Sequence, residues 1–328
     1  MDLKTELKKR ADFFDTQLEK FMKGGSPEKL YDAMRHLPAA GGKRLRPVLA
    51  MIACEAVNGD IIKAIPLSIA CELTHNFTLV HDDIMDKSKM RRGIPAVHMK
   101  YGEPTAIIAG DLLFTKAFES MHKTPVDPNI FKNVEYGLID CIREISEGQQ
   151  LDMEFEQRKI VSEDEYLEMI RKKTAVFFQY ASEAGAILGG ATHEQSNALS
   201  QYGLNLGLGF QIWDDYLDIS SDLKTLGKDI GNDIRNGKKT LIACHCLNNV
   251  KGEDKKTLSK IFGNLKATDE QVKKAYDIFK KTGSIDYAKN KAEEFCKEAK
   301  KSLETIPDTD AKKILVSLVE YATFKREK

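Results

Sequence analysis

The chain has no surplus of either charge. Its 328 residues hold 50 basic and 50 acidic side chains, which excludes a strongly basic nucleic-acid binder and an acidic solvating tail. Cysteine is scarce: the six residues Cys54, Cys71, Cys141, Cys244, Cys246 and Cys296 form no C-x-x-C pair and no Cys/His cluster with zinc spacing. They fall among apolar positions and are expected to be buried, reduced thiols. Repeats and low-complexity tracts are missing, which argues against disorder. The N-terminal stretch MDLKTELKKR has no apolar run of the signal-peptide kind. The longest uncharged run, Gln195 to Trp213, is interrupted by Gln, Ser, Asn and Gly, so it reads as a buried helix and not as a membrane span. With 42% hydrophobic residues, the expectation is a folded cytoplasmic protein.

Period-2 runs of β-branched residues are also missing, and no proline lies between residues 129 and 306. Both point to helices. Starts are marked by the capping boxes Ser162-x-x-Glu165 and Thr268-x-x-Gln271, and by Pro47 early in an apolar segment. Gly59, Gly102, Gly148 and Gly283 stand near the ends of apolar-periodic segments and read as stops. The pattern predicts helices at 2–22, 28–37, 44–58, 63–87, 104–122, 128–155, 163–189, 195–220, 238–248, 254–264, 269–281, 285–304 and 309–325. No linker divides them. One all-α domain over residues 1–328 is expected.

Two segments carry chemistry. Asp82-Asp83-Ile84-Met85-Asp86 and Asp214-Asp215-Tyr216-Leu217-Asp218 are both D-D-x-x-D at the end of a long, mostly apolar helix. The first and last Asp of each project from one helix face, where like charges repel unless a cation intervenes. Oxygen-only ligands suit a hard ion such as Mg²⁺, which completes its shell with water and substrate phosphate oxygens. Stepping back by helical turns from Asp82 gives Thr78, His75, Cys71 and Ser68; from Asp214 it gives Gln211, Gly207 and Gly203. Such seams line a pocket, or for the glycines simply allow close helix packing.

An anionic substrate needs cations. Gly41-Gly42-Lys43-Arg44-Leu45-Arg46-Pro47 joins a glycine turn, a basic cluster and a helix start, a geometry suited to anions. Arg91-Arg92 follows the first carboxylate segment, Lys172-Lys173-Thr174 interrupts an apolar helix, and Lys228, Lys238 and Lys239 follow the second segment. Arg44, Lys172 and Lys239 read as ordinary surface side chains. The others suggest two anion sites: one metal-bridged by the carboxylates, one metal-free around Lys43, Arg46, His75 and Arg92.

The order G-G-K-R-L-R-P, D-D-x-x-D with R-R, K-T, F-Q-x-x-D-D-x-x-D and G-K-D, at residues 41–47, 82–92, 173–174, 210–218 and 227–229, resembles the trans-isoprenyl diphosphate synthases. Gly110-Asp111-x-Leu113 and Gly148-Gln149-x-x-Asp152 are similar to further motifs of that family. The resemblance implies an all-α bundle with a central cavity, a homodimer that joins isopentenyl diphosphate to an allylic diphosphate. By it, Asp82, Asp86 and Asp214 bind roughly two to three Mg²⁺ ions, supported by Asp83, Asp215 and Asp218. Arg91, Lys173, Lys228 and Lys238 contact the allylic diphosphate, and Lys43, Arg46, His75 and Arg92 hold isopentenyl diphosphate. Thr174, Gln211 and the Lys173 carbonyl face the allylic cation. The seam offers no strong general base, so the released diphosphate is the candidate proton acceptor, and His81 reads as packing or as support for the carboxylates beside it. Phe77 with the small Thr78, about 6–8 Å down the helix from Asp82, resembles the geranylgeranyl type, with farnesyl diphosphate as the shorter alternative. A terpene cyclase would have no use for the second anion site. A non-catalytic regulatory subunit would be expected to have lost metal aspartates, and this chain retains them all.

Overall fold

The computed structural model describes residues 2–221 and 231–323. Helices dominate: α1 (Leu3–Phe21), α2 (Glu28–Ala39), α3 (Leu45–Ala56), α4 (Ile61–Met85), α5 (Val97–Tyr101), α6 (Glu103–Met121), α7 (Pro128–Gln157) and α8 (Glu163–Ile170). A π-helical turn (Arg171–Ala175) leads into α9 (Val176–Leu188), α10 (His193–Ser221), α11 (Asn232–Asn236), α12 (Leu241–Asn249), α13 (Gly252–Ile261), α14 (Asp269–Lys281), α15 (Ser284–Ser302) and α16 (Asp310–Thr323). Both capping boxes form as the sequence predicts, Ser162 with Glu165 and Thr268 with Gln271. The expected helix 163–189 is broken by the π turn at Arg171-Lys172-Lys173-Thr174-Ala175, where polar residues interrupt the apolar pattern. The short hairpin Met90–Arg91 with Ile94–Pro95, and the small helices α5 and α11, are too brief for periodicity to reveal.

Chain contacts divide the protein into two compact units. The first takes Met1–Ile139, Tyr180–Leu199 and Thr305–Leu315; the second takes Asp140–Gln179, Ser200–Glu304 and Val316–Lys328. In the first unit α4 packs between α3 and α6. Its upper seam stays accessible, but Ser68 and Cys71 are fully buried, and the Ser68 hydroxyl donates to the Pro47 carbonyl at 3.1 Å. That lower half of the seam is helix packing, not pocket wall. In the second unit the glycines of α10 likewise serve close approach: a Cβ at Gly203 would lie 2.4 Å from the Phe178 carbonyl oxygen, and one at Gly207 2.6 Å from Ala175 Cα. Gly148 is no helix stop. It lies inside α7, where a Cβ would fall 2.3 Å from the Lys173 backbone nitrogen. All six cysteines are buried thiols. Among the described residues no helix is long and apolar enough to cross a membrane.

Arg44 corrects the surface reading of that side chain. It is only 5% exposed, in left-handed backbone with φ 48° just before α3. Its guanidinium donates to Glu72 at 2.5 Å, to Asp15 at 2.8 Å and to the Pro38 carbonyl at 2.6 Å. Glu72 also accepts from Asn76 Nδ2 at 2.8 Å. The turn that precedes α3 is thereby pinned to the middle of α4. Lys239 is also buried, its ammonium donating to the Gly237 carbonyl at 2.8 Å. Replacing Glu72 by Ala strands the buried guanidinium and is expected to lower folding stability by about 3 kcal/mol. Urea denaturation monitored by circular dichroism measures this; a loss below about 1 kcal/mol would mean that Asp15 and Pro38 suffice.

Candidate active site

In the first unit, α4 ends at Met85, so Asp82 lies in its last turn and Asp86 caps it. A helix C-terminus carries partial negative charge, so carboxylates there favour a cation. Asp86 is exposed and Asp82 half-buried, whereas Asp83 is 1% exposed. One Asp83 oxygen accepts from Arg91 Nε at 2.9 Å and Nη2 at 2.5 Å. Its other oxygen, Oδ2, is buried with no protein partner.

The cations of this unit fall into two kinds. Arg44 and Arg91 are neutralised by carboxylates. Arg92, in left-handed backbone with φ 52°, donates to the Gly41 carbonyl, to the Leu37 carbonyl at 3.2 Å and to Asn76 Oδ1 at 3.4 Å. All three partners are neutral, so its positive charge is not compensated by them. Gly42 makes room for it: a Cβ there would lie 3.0 Å from Arg92 Cζ. Arg46 Nη1 lies 3.4 Å from His75 Nε2. A guanidinium only donates, so Nε2 accepts and the imidazole proton sits on Nδ1. Burial, and then the charges of Arg46, Arg92, Arg91 and Arg44, hold the His75 pKa well below 6.5. Lys43 is exposed on the same turn. The sequence-predicted group Lys43, Arg46, His75 and Arg92 is therefore built around one loop-and-helix junction.

In the second unit, four consecutive residues of the π turn are each gripped. Arg171 donates to Glu144 at 2.5 Å, Lys172 to Glu147 at 2.6 Å, Lys173 to Asp152, and Thr174 Oγ1 to Gln211 Oε1 at 3.0 Å. Glu144, Glu147, Gly148 and Asp152 form one stripe on α7, which accounts for the Gly148-Gln149-x-x-Asp152 motif. Asp215 is 3% exposed; it accepts from Tyr166 OH at 2.7 Å and from Gln211 Nε2 at 3.3 Å. Lys238 Nζ lies 3.5 Å from Asp215 and 3.8 Å from Asp233. Asp215 is the main cause of the upward shift of the Lys238 pKa, so the ammonium stays charged. Asp214 and Asp218 are partly exposed, and Lys228 lies outside the described residues.

The pattern that describes polyprenyl synthetases matches residues 27–279. The chain belongs to the polyprenyl synthetase family. It is 44% identical to the geranylgeranyl diphosphate synthase of Methanosarcina mazei over 98% of this chain and 97% of that one. The crystal structure of geranylgeranyl pyrophosphate synthetase from Pyrococcus horikoshii superposes with a TM-score of 0.94 at 42% identity, covering 99% and 98% of the two chains. A polyprenyl synthase from Caulobacter crescentus, complexed with calcium and isoprenyl diphosphate, matches with a TM-score of 0.85 at 32% identity over 97% and 96%. This polyprenyl synthetase is an all-α enzyme of the prenyltransferase class.

The residues present fit a divalent ion shared with substrate. Among the described residues no three carboxylate, imidazole or thiol groups converge to hold a metal by themselves. Such a donor set suits Mg²⁺, which takes one or two carboxylates and fills the remainder with water and phosphate oxygens. The partnerless Asp83 Oδ2 is an acceptor suited to a metal-bound water.

Sequence reasoning missed Tyr166, whose hydroxyl meets Asp215 across 49 residues of chain; nothing local announces such a pair. It left the Gly110-Asp111 motif without a role. In the synthetase a Cβ at Gly110 would fall 2.3 Å from His81 Nε2, which also lies 3.2 Å from the Ile107 carbonyl. His81 thus packs over α6, as its sequence position suggested, with Phe77 edge-on at 5.0 Å. Phe77 continues a row through Phe114 (5.4 Å) to Phe118 (5.2 Å). A cavity of about 510 Å³ lies behind the glycine turn between Asp15, Leu18, Met22, Arg35 and Arg44; no carboxylate of the D-D-x-x-D segments lines it.

His75 gives a pH test. Its folded pKa is depressed, so the unfolded chain takes up a proton near 6.5 that the folded one refuses. Folding stability from this group is full above that pH and declines as pH falls below it. In long-range ¹⁵N spectra the ring should stay neutral through pH 6 with its proton on Nδ1, and added pyrophosphate should raise its pKa. Titration at 6.5, unmoved by pyrophosphate, would contradict the arginine cluster's role.

Proposed function

We propose that this enzyme condenses isopentenyl diphosphate with dimethylallyl, geranyl and farnesyl diphosphates, making geranylgeranyl diphosphate as the main product. The observation that carries the reading is the arginine cluster of the first unit, whose Arg92 donates to two carbonyls and an amide oxygen, together with the helix of that unit that ends in Asp82 and Asp86. Asp82, Asp86 and Asp214 would hold Mg²⁺ on the allylic diphosphate, with Asp218 in support. When bound, the ions neutralise the leaving diphosphate so that its C–O bond can ionise. Arg91, Lys173, Lys228 and Lys238 add positive charge to that leaving group. Arg91 and Lys173 are held in place meanwhile by Asp83 and Asp152. Lys43, Arg46, His75 and Arg92 hold the second diphosphate without metal. Thr174, Gln211 and the Lys173 carbonyl turn oxygen dipoles toward the allylic cation, which survives only where water is excluded. The isopentenyl double bond attacks, and the released diphosphate takes the proton.

The same resemblance supports a homodimer, and exposed Ile107 and Ile108 on α6 with Ile130, Tyr136 and Ile139 on α7 offer apolar surface for it. The buried thiols suit the reducing cytoplasm. The family match runs through segments of both compact units, which favours one polyprenyl synthase domain acting as a whole. Phe77, at the head of its aromatic row, would form the floor that limits product length.

The test is to supply Mg²⁺, labelled isopentenyl diphosphate and each allylic primer, then size the dephosphorylated products. Geranylgeraniol is expected, and farnesol alone would mean that the floor closes one unit earlier. Asp214→Asn should lose at least about 100-fold in rate. Phe77→Ala should lengthen the product. No elongation with any primer, from folded protein, would sink the reading and favour a non-catalytic subunit.

A further inference from the structure

Thr174 can present either end of its hydroxyl to a reacting substrate, the proton or the lone pairs, and only the lone pairs help a cation. Three hydrogen bonds in the second unit decide which. The Asp215 carboxylate can only accept, so the Gln211 amide turns its NH₂ group to Asp215 Oδ1, at 3.3 Å. That leaves Gln211 Oε1 facing Thr174 Oγ1 at 3.0 Å. An oxygen facing a hydroxyl obliges the hydroxyl to donate, which commits the single Thr174 proton and leaves only its lone pairs for anything else. At the far end the Tyr166 hydroxyl donates to Asp215 Oδ2 at 2.7 Å. Tyr166 is 1% exposed, among the largest fully buried side chains. A phenol this deep has its one donor spent on Asp215, and the carboxylate is thereby fixed in rotation. Lys238 Nζ, 3.5 Å from the same Oδ1, is the other charge facing it.

We infer that Tyr166 is a positioning residue for prenyl transfer: acting through Asp215 and Gln211, it sets the polarity of the Thr174 hydroxyl so that oxygen, not hydrogen, faces the allylic cation. The inference rests on the role given to Thr174 above. Without the Tyr166 donor, Asp215 keeps a buried lone pair unmatched and is no longer fixed in rotation. Gln211 then loses the constraint on its amide, and a flipped amide would offer NH₂ to Thr174, so that the hydroxyl accepts and its proton swings outward. The dipole at the reacting carbon changes sign while the diphosphate contacts stay intact. The effect therefore falls on turnover and not on substrate binding.

A double-mutant cycle in the full-length enzyme with Mg²⁺ tests this, read by rapid-quench single turnover of farnesyl diphosphate with isopentenyl diphosphate. Tyr166→Phe should slow condensation about tenfold with both KM values unchanged within about twofold. Thr174→Val should slow it by about 100-fold. In the Thr174→Val background Tyr166→Phe should change the rate by less than about twofold, because the hydroxyl it orients is gone. Thr174→Ser, which retains the hydroxyl, should restore the tenfold sensitivity. An equal tenfold loss in both backgrounds, or a raised KM at unchanged kcat, would overturn the inference while leaving the reaction reading in place. If Thr174→Val itself turns over at the wild-type rate, it is the reading of Thr174 that fails, and the inference with it. Thermal melting checks that Tyr166→Phe is folded. Should it unfold, Tyr166→Met, which also lacks the donor while filling the buried site, enters the same cycle with the same non-additivity expected.

Discussion

Both D-D-x-x-D segments are divided in the same way, and the proposed chemistry depends on that division. The second aspartate of each, Asp83 and Asp215, is almost wholly buried and tied into its own unit by donors, Arg91 in one and Tyr166 with Gln211 in the other. A helix makes this unavoidable: successive residues are turned far apart around the axis, so when the second carboxylate goes inward the first and last share the outer face. Burying a carboxylate without partners would be costly, and each has them. What remains accessible at the helix end is the first and last carboxylate, one turn apart on a common face. On the proposed reading, a divalent ion would join these carboxylates to the phosphate oxygens of a bound substrate.

The cations obey the complementary rule. Arg44 and Arg91 are spent on Glu72, Asp15 and Asp83, and they hold the backbone of the glycine turn and the first carboxylate segment. Arg92 is given carbonyls and an amide oxygen instead, and the imidazole beside Arg46 is kept neutral by burial and by the surrounding guanidinium groups. On the proposed reading, a diphosphate entering here would meet donors already held in place by their neighbours, with little reorganisation.

Much of this was legible in the sequence because helical periodicity and charge spacing are local. The apolar pattern predicts helices at 63–87 and 195–220, which form as 61–85 and 193–221, and spacing alone marks the carboxylates at their ends. Arg44 and Lys239 were misjudged as surface side chains because their partners, Glu72 and the Gly237 carbonyl, are contacts that only the fold creates. The glycines of α10 and Gly148 of α7 follow the same logic: each marks where another backbone comes close, as the Phe178 carbonyl does to Gly203. The π turn had a signal, three polar residues in an apolar helix, but its hydrogen-bond register is set by the stripe of α7 that grips it.

The central claim is that one anion site needs metal and the other does not. Isothermal titration calorimetry of inorganic pyrophosphate into the enzyme, with and without Mg²⁺, tests it most directly. The account predicts one equivalent bound per chain in the absence of divalent ions, and a second that appears with Mg²⁺, gaining at least about 100-fold in affinity, or about 2.7 kcal/mol. Identical stoichiometry and affinity under the two conditions would contradict it.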